Sequence, residues 1–81
     1  METRVAVIGI IVEDLASAPG VNQVLHEYAD YIVGRMGIPY GKKDVSVISV
    51  VIDAPMDVIN AITGKIGRID GVSAKAACSA K

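Results

Sequence analysis

The sequence contains no tryptophan and no phenylalanine, and only one cysteine and one histidine among its 81 residues. A single cysteine, Cys78, excludes a disulfide within the chain, and a single histidine, His26, argues against a structural zinc site in one subunit. The lone thiol fits a reducing, cytoplasmic location. A chain this short buries only ~60% of the surface that its unfolded form exposes. Association between copies is therefore the expected source of additional stability.

Charged residues are few and evenly spread, with a formal net charge of −1 and no run of more than two like charges. A surface that binds nucleic acid needs a basic stripe, so we expect no direct nucleic-acid binding. The apolar run after Arg4 lacks a small-residue cleavage site and ends in Glu13 and Asp14. It is also too short to span a bilayer, so we expect neither a signal peptide nor a membrane partner.

What the chain does have is two long apolar segments rich in β-branched residues. Residues 5–12 read VAVIGIIV, and residues 45–52 contain only two polar side chains, Ser46 and Ser49, on opposite faces. Both segments predict strands. A strand with one face in water alternates apolar and polar residues, and these do not, so both faces of each strand need cover.

Apolar side chains at helical spacing follow the first strand and predict a first helix that begins near Val21. Pro19 suits its first turn, Ser17 or Asp14 could cap it, and Gly37 is the expected left-handed stop. The predicted apolar face consists of Val21, Val24, Leu25, Tyr28, Ile32 and Met36.

A second helix is predicted to start at Asp53, Ala54 and Pro55, with Pro55 in the first turn. Its apolar stripe consists of Val58, Ile59, Ile62, Ile66 and Ile69. Two shorter strands complete the pattern. One is residues 38–40, where Pro39 favours a sheet edge, and the other is the small-residue segment 72–78.

The order strand–helix–strand–strand–helix–strand predicts one α+β domain over residues 1–81, a ferredoxin-like βαββαβ sandwich. We expect an antiparallel four-stranded sheet with both helices on one face and with residues 5–12 and 45–52 in its centre. An alternative omits the Pro39 strand and gives a three-stranded parallel sheet, but residues 41–44 read well as a hairpin turn. The face without helices would expose valine and isoleucine, so we expect a homo-oligomer, either a dimer or a tetramer.

Several segments are similar to the iron-only hydrogenase system regulator family: RMGIPY at residues 35–40, the strand at 45–52, TGKIG at 63–67 and GVSAK at 71–75. The similarity runs from about Arg4 to about Lys75. That family is grouped with ACT-like domains and with the C-terminal domain of the nickel-responsive regulator. The resemblance implies an oligomeric ferredoxin-like domain with a regulatory role. Residues 19–21 also resemble the loop after the first strand of ACT domains, which implies that Gly20 lies near a small effector at a subunit interface.

Thr63, Gly64 and Lys65 do not form a phosphate loop, because position 59 is Ile and the motif lies late in a helix. Gly64 and Gly67 point away from the isoleucine stripe, near Asn60. Either the helix ends early at one glycine, or the glycines form a notch for a partner backbone or a ligand.

Metal binding by His26 and Cys78 would require two subunits. The nickel-responsive relatives use several histidines and a cysteine, so we expect no metal and no cofactor here. Tyr40, next to Arg35, is either a packed tyrosine or part of a pocket between subunits. Asp53 and Asp57 are interpreted as favourable charges at a helix start, and no nucleophile–base set or carboxylate pair predicts an enzyme.

The sequence therefore predicts a non-catalytic regulatory module that oligomerises through its sheet and binds a small ligand at a subunit interface, near the loop after the first strand. The alternative is a protein-interaction or scaffold subunit without a ligand. The candidate ligand and interface residues are Gly20, Arg35, Tyr40, Asn60, Gly64 and Gly67.

Overall fold

The computed structural model describes residues 2–81, which form one four-stranded antiparallel sheet and two helices. The elements in chain order are β1 (Arg4–Val12), α1 (Ala18–Glu27), β2 (Ile32–Tyr40), β3 (Val45–Ala54), α2 (Met56–Gly67) and β4 (Val72–Cys78). The strand order is β2-β3-β1-β4. The predicted ferredoxin-like fold is confirmed, with β1 and β3 in the centre and the Pro39 strand and the small-residue strand at the edges.

The hydrophobic core lies between the two helices and one face of the sheet. From Ala6 to Val12 and from Ile48 to Ala54 every second residue is buried there, because successive side chains of a strand point to opposite faces. The helices bury part of the predicted apolar stripes, whereas Met36 is exposed and Ile69 lies beyond the end of α2. The buried residues are Ala6, Ile8, Ile10, Val12, Val21, Leu25, Ile48, Val50, Ile52, Ala54, Ile59, Ile62 and Ile66. Within residues 2–81 no polar or charged residue is buried.

The prediction that the first helix continues to Met36 is wrong. The helix α1 ends at Glu27, a short 3-10 turn covers Ala29–Tyr31, and the chain enters β2 at Ile32. The edge strand is therefore residues 32–40 instead of the predicted 38–40.

Pairing with β3 explains why the strand extends so far back. The segment from Ile32 to Tyr40 is in register with β3, with a bulge between Ile32 and Gly34. Two glycines, Gly34 and Gly37, disfavour a helix by about 1 kcal/mol each relative to alanine. Ile32 packs against the core, as the helical spacing predicted, but it does so from a strand.

The predicted start of the second helix is also shifted. Asp53 and Ala54 are the last two residues of β3, and Pro55 is the N-cap of α2, not a member of its first turn. Asp53 is paired with Val5 of β1, so its predicted role as a charge at the helix start is not what the structure shows. Asp57 does lie in the first turn of α2.

The loop from Glu13 to Ser17 is closed against the turn between α2 and β4. The backbone N–H of Glu13 donates to the carbonyl of Gly71 at 2.7 Å, and the Ser17 hydroxyl donates to the carbonyl of Asp70 at 2.6 Å. Ser17 therefore occupies the N-cap position of α1 without a side-chain cap, and Asp14 caps the preceding 3-10 turn instead. Gly71 adopts a φ of +74°, a conformation that favours glycine.

Candidate functional site: the uncovered sheet face

One face of the sheet has no helix over it, and we call it the uncovered face. Strand alternation and register assign its side chains. It comprises Gly34, Met36, Ile38 and Tyr40 of β2; Val45, Val47, Ser49, Val51 and Asp53 of β3; Val5, Val7, Gly9 and Ile11 of β1; and Ser73, Lys75 and Ala77 of β4. The structure thus confirms that the chain covers only one side of its own sheet.

Exposed apolar side chains dominate this surface. Val5, Val7 and Ile11 of the central strand β1 retain 41–43% of their surface in contact with solvent. Met36 and Ile38 of the edge strand β2 protrude further, with exposures of 60% and 50%. Contiguous apolar surface of this kind marks an interaction site in soluble proteins.

The register places these residues in three rows that cross all four strands. From β2 to β4 the first row is Ile38, Val47, Ile11 and Ser73; the second is Met36, Ser49, Gly9 and Lys75; the third is Gly34, Val51, Val7 and Ala77. The side chains at the centre are β-branched in the first and third rows. In the second row they are replaced by a serine and a glycine.

A shallow depression, which we call the Gly9 hollow, lies between the first and second rows, towards β4. Its volume is about 380 Å³, and it is lined by Gly9, Ile10, Ile11, Val47, Ser73, Ala74 and Lys75. A Cβ built on Gly9 would meet only the carbonyl oxygen of Lys75, at 4.0 Å. Neither packing nor a left-handed backbone conformation requires glycine here. Glycine inside a strand without such a reason often marks the close approach of a ligand or another backbone.

Arg35 and Tyr40 do not lie side by side. Tyr40 is at the end of the uncovered face, paired with Val45. Arg35 points to the helix side of β2, where its guanidinium donates a 2.8 Å hydrogen bond to the side-chain carbonyl of Asn22 on α1. The two residues are on opposite faces of one strand and do not line a common pocket.

Gly20 lies in the first turn of α1, where a Cβ would be in ordinary contact with Ile69 at 3.6 Å. Asn60, Gly64 and Gly67 follow one another along α2, and Gly67 is its last residue. A Cβ on Gly64 would meet only the Arg68 guanidinium at 3.6 Å, and one on Gly67 would meet nothing within 4 Å. The six predicted site residues are thus divided between α1, the two faces of β2, and α2.

The segment from Thr63 to Lys65 is engaged within the helical layer. The Thr63 hydroxyl donates to the carbonyl of Ile59 at 2.8 Å. The Lys65 ammonium lies 5.0 Å from the centre of the Tyr28 ring. A hydrogen bond and the charge interaction with Tyr28 raise the pKa of Lys65, so this lysine links α2 to α1.

The two side chains considered for metal binding, His26 and Cys78, are both exposed. Across residues 2–81 no three His, Cys, Asp or Glu side chains come together in a metal-binding group. Nor does this part of the chain contain a helix with the length and apolarity of a membrane span.

Sequence reasoning missed Gly9, Met36 and Lys75 as members of one row. The signal that could have drawn attention to Gly9 is its position inside an otherwise continuous apolar strand, where glycine is unfavourable. No sequence signal places Met36 in the same row, because that depends on the register of β2 on β3.

The fold and the uncovered face define a class: a small α+β domain with two helices on one side of its sheet and an apolar surface on the other. Within that class, the chain belongs to the TM1266-like family, described as "Iron-only hydrogenase system regulator, putative", which it matches over residues 4–76. This confirms the resemblance drawn from the sequence.

A solved structure of the same fold is that of the uncharacterized protein TM1266 from Thermotoga maritima. It is 31% identical in sequence, and the similarity covers 95% of this chain and 98% of that one, with a TM-score of 0.91. No curated protein sequence matches the chain.

Proposed function

We propose that this protein is a non-catalytic regulatory module that works as a homo-oligomer, joined through the uncovered face, and that it responds to a small effector bound at a subunit interface. The observation that carries the proposal is the group of exposed valine and isoleucine side chains on the central strands β1 and β3. The regulatory role is supported by the description of the family to which the chain belongs.

The energetic argument for assembly is direct. Full burial of a valine or isoleucine is worth ~1.5–3 kcal/mol relative to full exposure. Val7, Ile11 and Val47 are 39–43% exposed, so covering each would gain roughly 1 kcal/mol by the same scale. Edge residues Met36 and Ile38 would gain more, since they start more exposed. A second copy of the chain supplies the same apolar surface, as in any two-fold symmetric interface.

The chemical character of the uncovered face supports a binding role over catalysis. Its three central rows contain one cation, Lys75, and two hydroxyls, Ser49 and Ser73, among apolar residues. The residues next to Lys75 in its row and along its strand face are uncharged: Gly9, Ser73 and Ala77. This set has no base placed beside a nucleophile.

The proposed effector position is the junction between subunits close to the loop from Glu13 to Ser17. That loop leaves β1 directly after Val12, beside the first row of the uncovered face. A second copy seated on this face would bring the ends of its own strands to this end of the sheet.

Light scattering of the full chain at micromolar concentration tests the assembly. We expect a mass of two or four chains. Ile11→Lys and Val47→Lys should reduce it to one chain, because each buries a charge in the contact. The matched control is Leu15→Lys, at a side chain that is 54% exposed but lies in the loop outside the uncovered face; its mass should equal that of the wild type. A monomeric wild-type protein would refute the proposal.

A thermal-shift panel of amino acids, nucleotides and divalent metals tests the effector. A ligand that binds the folded state raises the melting temperature in a concentration-dependent way. We expect at least one small metabolite to do so. If an oligomer forms and no compound in the panel stabilises it, the effector half of the proposal is contradicted and the scaffold alternative is favoured.

A further inference from the structure

The uncovered face is not level. On the β2 edge the side chains are long, with Met36 and Ile38 protruding, whereas on the β4 edge two of the three, Ser73 and Ala77, are short. The Gly9 hollow adds a depression on the β4 side. Apart from Gly34 of β2 and Lys75 of β4, the longer side chains are therefore on the β2 edge and the shorter ones on the β4 edge.

Met36, the most exposed apolar side chain of the uncovered face, shares its row with Gly9 and Lys75, which line one side of the hollow. Met36 is opposite Ser49, Ser49 is opposite Gly9, and Gly9 is opposite Lys75. Adjacent strands are about 4.8 Å apart, so Met36 is about 7 Å from the sheet centre on one side, and the hollow extends on the other side from β1 towards Ser73 and Lys75 of the opposite edge strand. A projection and a depression related in this way are what a self-complementary interface requires.

The direction of the symmetry axis decides whether they meet. A two-fold axis parallel to the strands exchanges β2 with β4 and β3 with β1, and it keeps each row opposite itself. An axis across the strands at the second row would place β2 on β2, so that Met36 meets Met36 and the hollow does not receive it. The second arrangement leaves a void, which close-packed interfaces avoid.

Resting on the proposed function, we propose that two copies pair face to face about an axis parallel to the strands, with Met36 of each copy over Lys75 of the other and its side chain directed into the adjoining Gly9 hollow. In this arrangement Ile38 lies over Ser73 of the second copy. Val47 lies over Ile11, and Val51 lies over Val7. The third row has small residues at both edges, Gly34 and Ala77, so the contact narrows there.

Lys75 is compatible with this pairing because β4 is an edge strand. Its aliphatic stem can pack beside the Met36 thioether while its ammonium extends past the sheet edge into water. The flexible, polarisable methionine side chain is well suited to a shallow and irregular hollow.

The available area is sufficient for a reversible dimer. Four strands spaced ~4.8 Å apart, with about seven residues each at ~3.4 Å, give a face of about 19 by 24 Å. Two such faces, treated as flat, bury about 900 Å² in total. Protruding side chains add to this area, which is close to the ~1,000 Å² of the smaller specific interfaces.

The decisive experiment fills the hollow in one variant and removes the projecting side chain in another. Gly9→Leu fills the hollow, and the fold should tolerate it because the Cβ position is open. Met36→Ala removes the projection. By sedimentation equilibrium, we expect each single variant to weaken the dimer at least about tenfold, and the double variant to recover most of that loss. Circular dichroism of each variant verifies folding. Additive losses in the double variant would overturn the pairing.

Chemical cross-linking provides an independent test. In a Cys78→Ser background, Met36→Cys and Lys75→Cys proteins are mixed and treated with a short bismaleimide, since packed sheets are ~10 Å apart. We expect a cross-linked dimer in the mixture and little with either protein alone. If Met36→Cys cross-links to itself, or no mixture cross-links although an oligomer forms, this pairing is wrong and the proposed function stands. A monomeric wild-type protein would contradict both this pairing and the proposed function.

Discussion

Gly71 holds the turn between α2 and β4 against the loop that leaves β1, and replacing it tests how tightly these two loops are joined. Its φ of +74° is unfavourable for any residue with a Cβ. A Cβ at this position would lie 2.6 Å from the Cβ of Asp14 and 3.1 Å from the Asp14 nitrogen. Since one of these neighbours is backbone, the contact cannot be relieved by a side-chain rotation.

The magnitude follows from two contributions. The left-handed conformation costs an alanine ~1–2 kcal/mol. Moving the Asp14 loop away weakens the 2.7 Å hydrogen bond from Glu13 to the Gly71 carbonyl, which is worth ~0.5–1.5 kcal/mol. Gly71→Ala should therefore lose about 2–4 kcal/mol of unfolding free energy, including some repulsion. With an unfolding entropy of about 2.1 cal/mol/K per residue, this lowers the melting temperature by roughly 12–24 °C.

The assay is thermal and urea unfolding followed by circular dichroism at one fixed protein concentration, because assembly makes stability concentration-dependent. Gly67→Ala is the matched control. It lies at the end of α2, its Cβ would meet nothing within 4 Å, and alanine favours a helix by up to ~1 kcal/mol over glycine. A loss below about 1 kcal/mol in Gly71→Ala, or an equal loss in both variants, would refute the reasoning.

Two further predictions concern the helices. Ile62→Ala should destabilise the fold by ~2–5 kcal/mol, because this side chain is fully buried between α2 and the sheet. The control Met56→Ala, at an exposed position on the same helix, should change stability by less than ~1 kcal/mol. Equal urea midpoints for the two variants would contradict the assignment of Ile62 to the core. The second concerns pH. Tyr28 raises the pKa of Lys65 in the folded state, so this stabilisation is fully present below the unfolded value of ~10.4 and is lost as pH rises through the higher folded value. The difference in urea midpoint between wild type and Lys65→Gln should therefore shrink as the pH rises above ~10.4, and a difference that stays constant would exclude the contact.

The central strands and the second helix could be predicted because their local patterns have one interpretation. Residues 5–12 are too apolar for a half-solvated strand, and the isoleucines from Ile59 to Ile69 repeat at helical spacing. Residues 28–37 are different. Tyr28, Ile32 and Met36 are spaced as on a helix, yet Ile32 and Met36 belong to β2, because eight residues pair with β3 there. Long-range pairing outweighed a local pattern that fitted both structures.

The candidate site was predicted as a kind of surface and not as a set of residues. An apolar uncovered face followed from the strand composition and the number of helices. Which side chains share a row did not, because it depends on registers between strands that are distant in the chain. Arg35 and Tyr40 show the difference. They are close in sequence, but their odd spacing puts them on opposite faces of β2.

The sequence by itself determined that this protein builds a sheet too apolar for its two helices to cover, since that conclusion needs only composition, periodicity and length. Only the tertiary structure decided where the surface rises and falls. The three strand pairings bring Met36, Ser49, Gly9 and Lys75 into one line, and a shift of any pairing by one residue would turn the affected side chains to the other face.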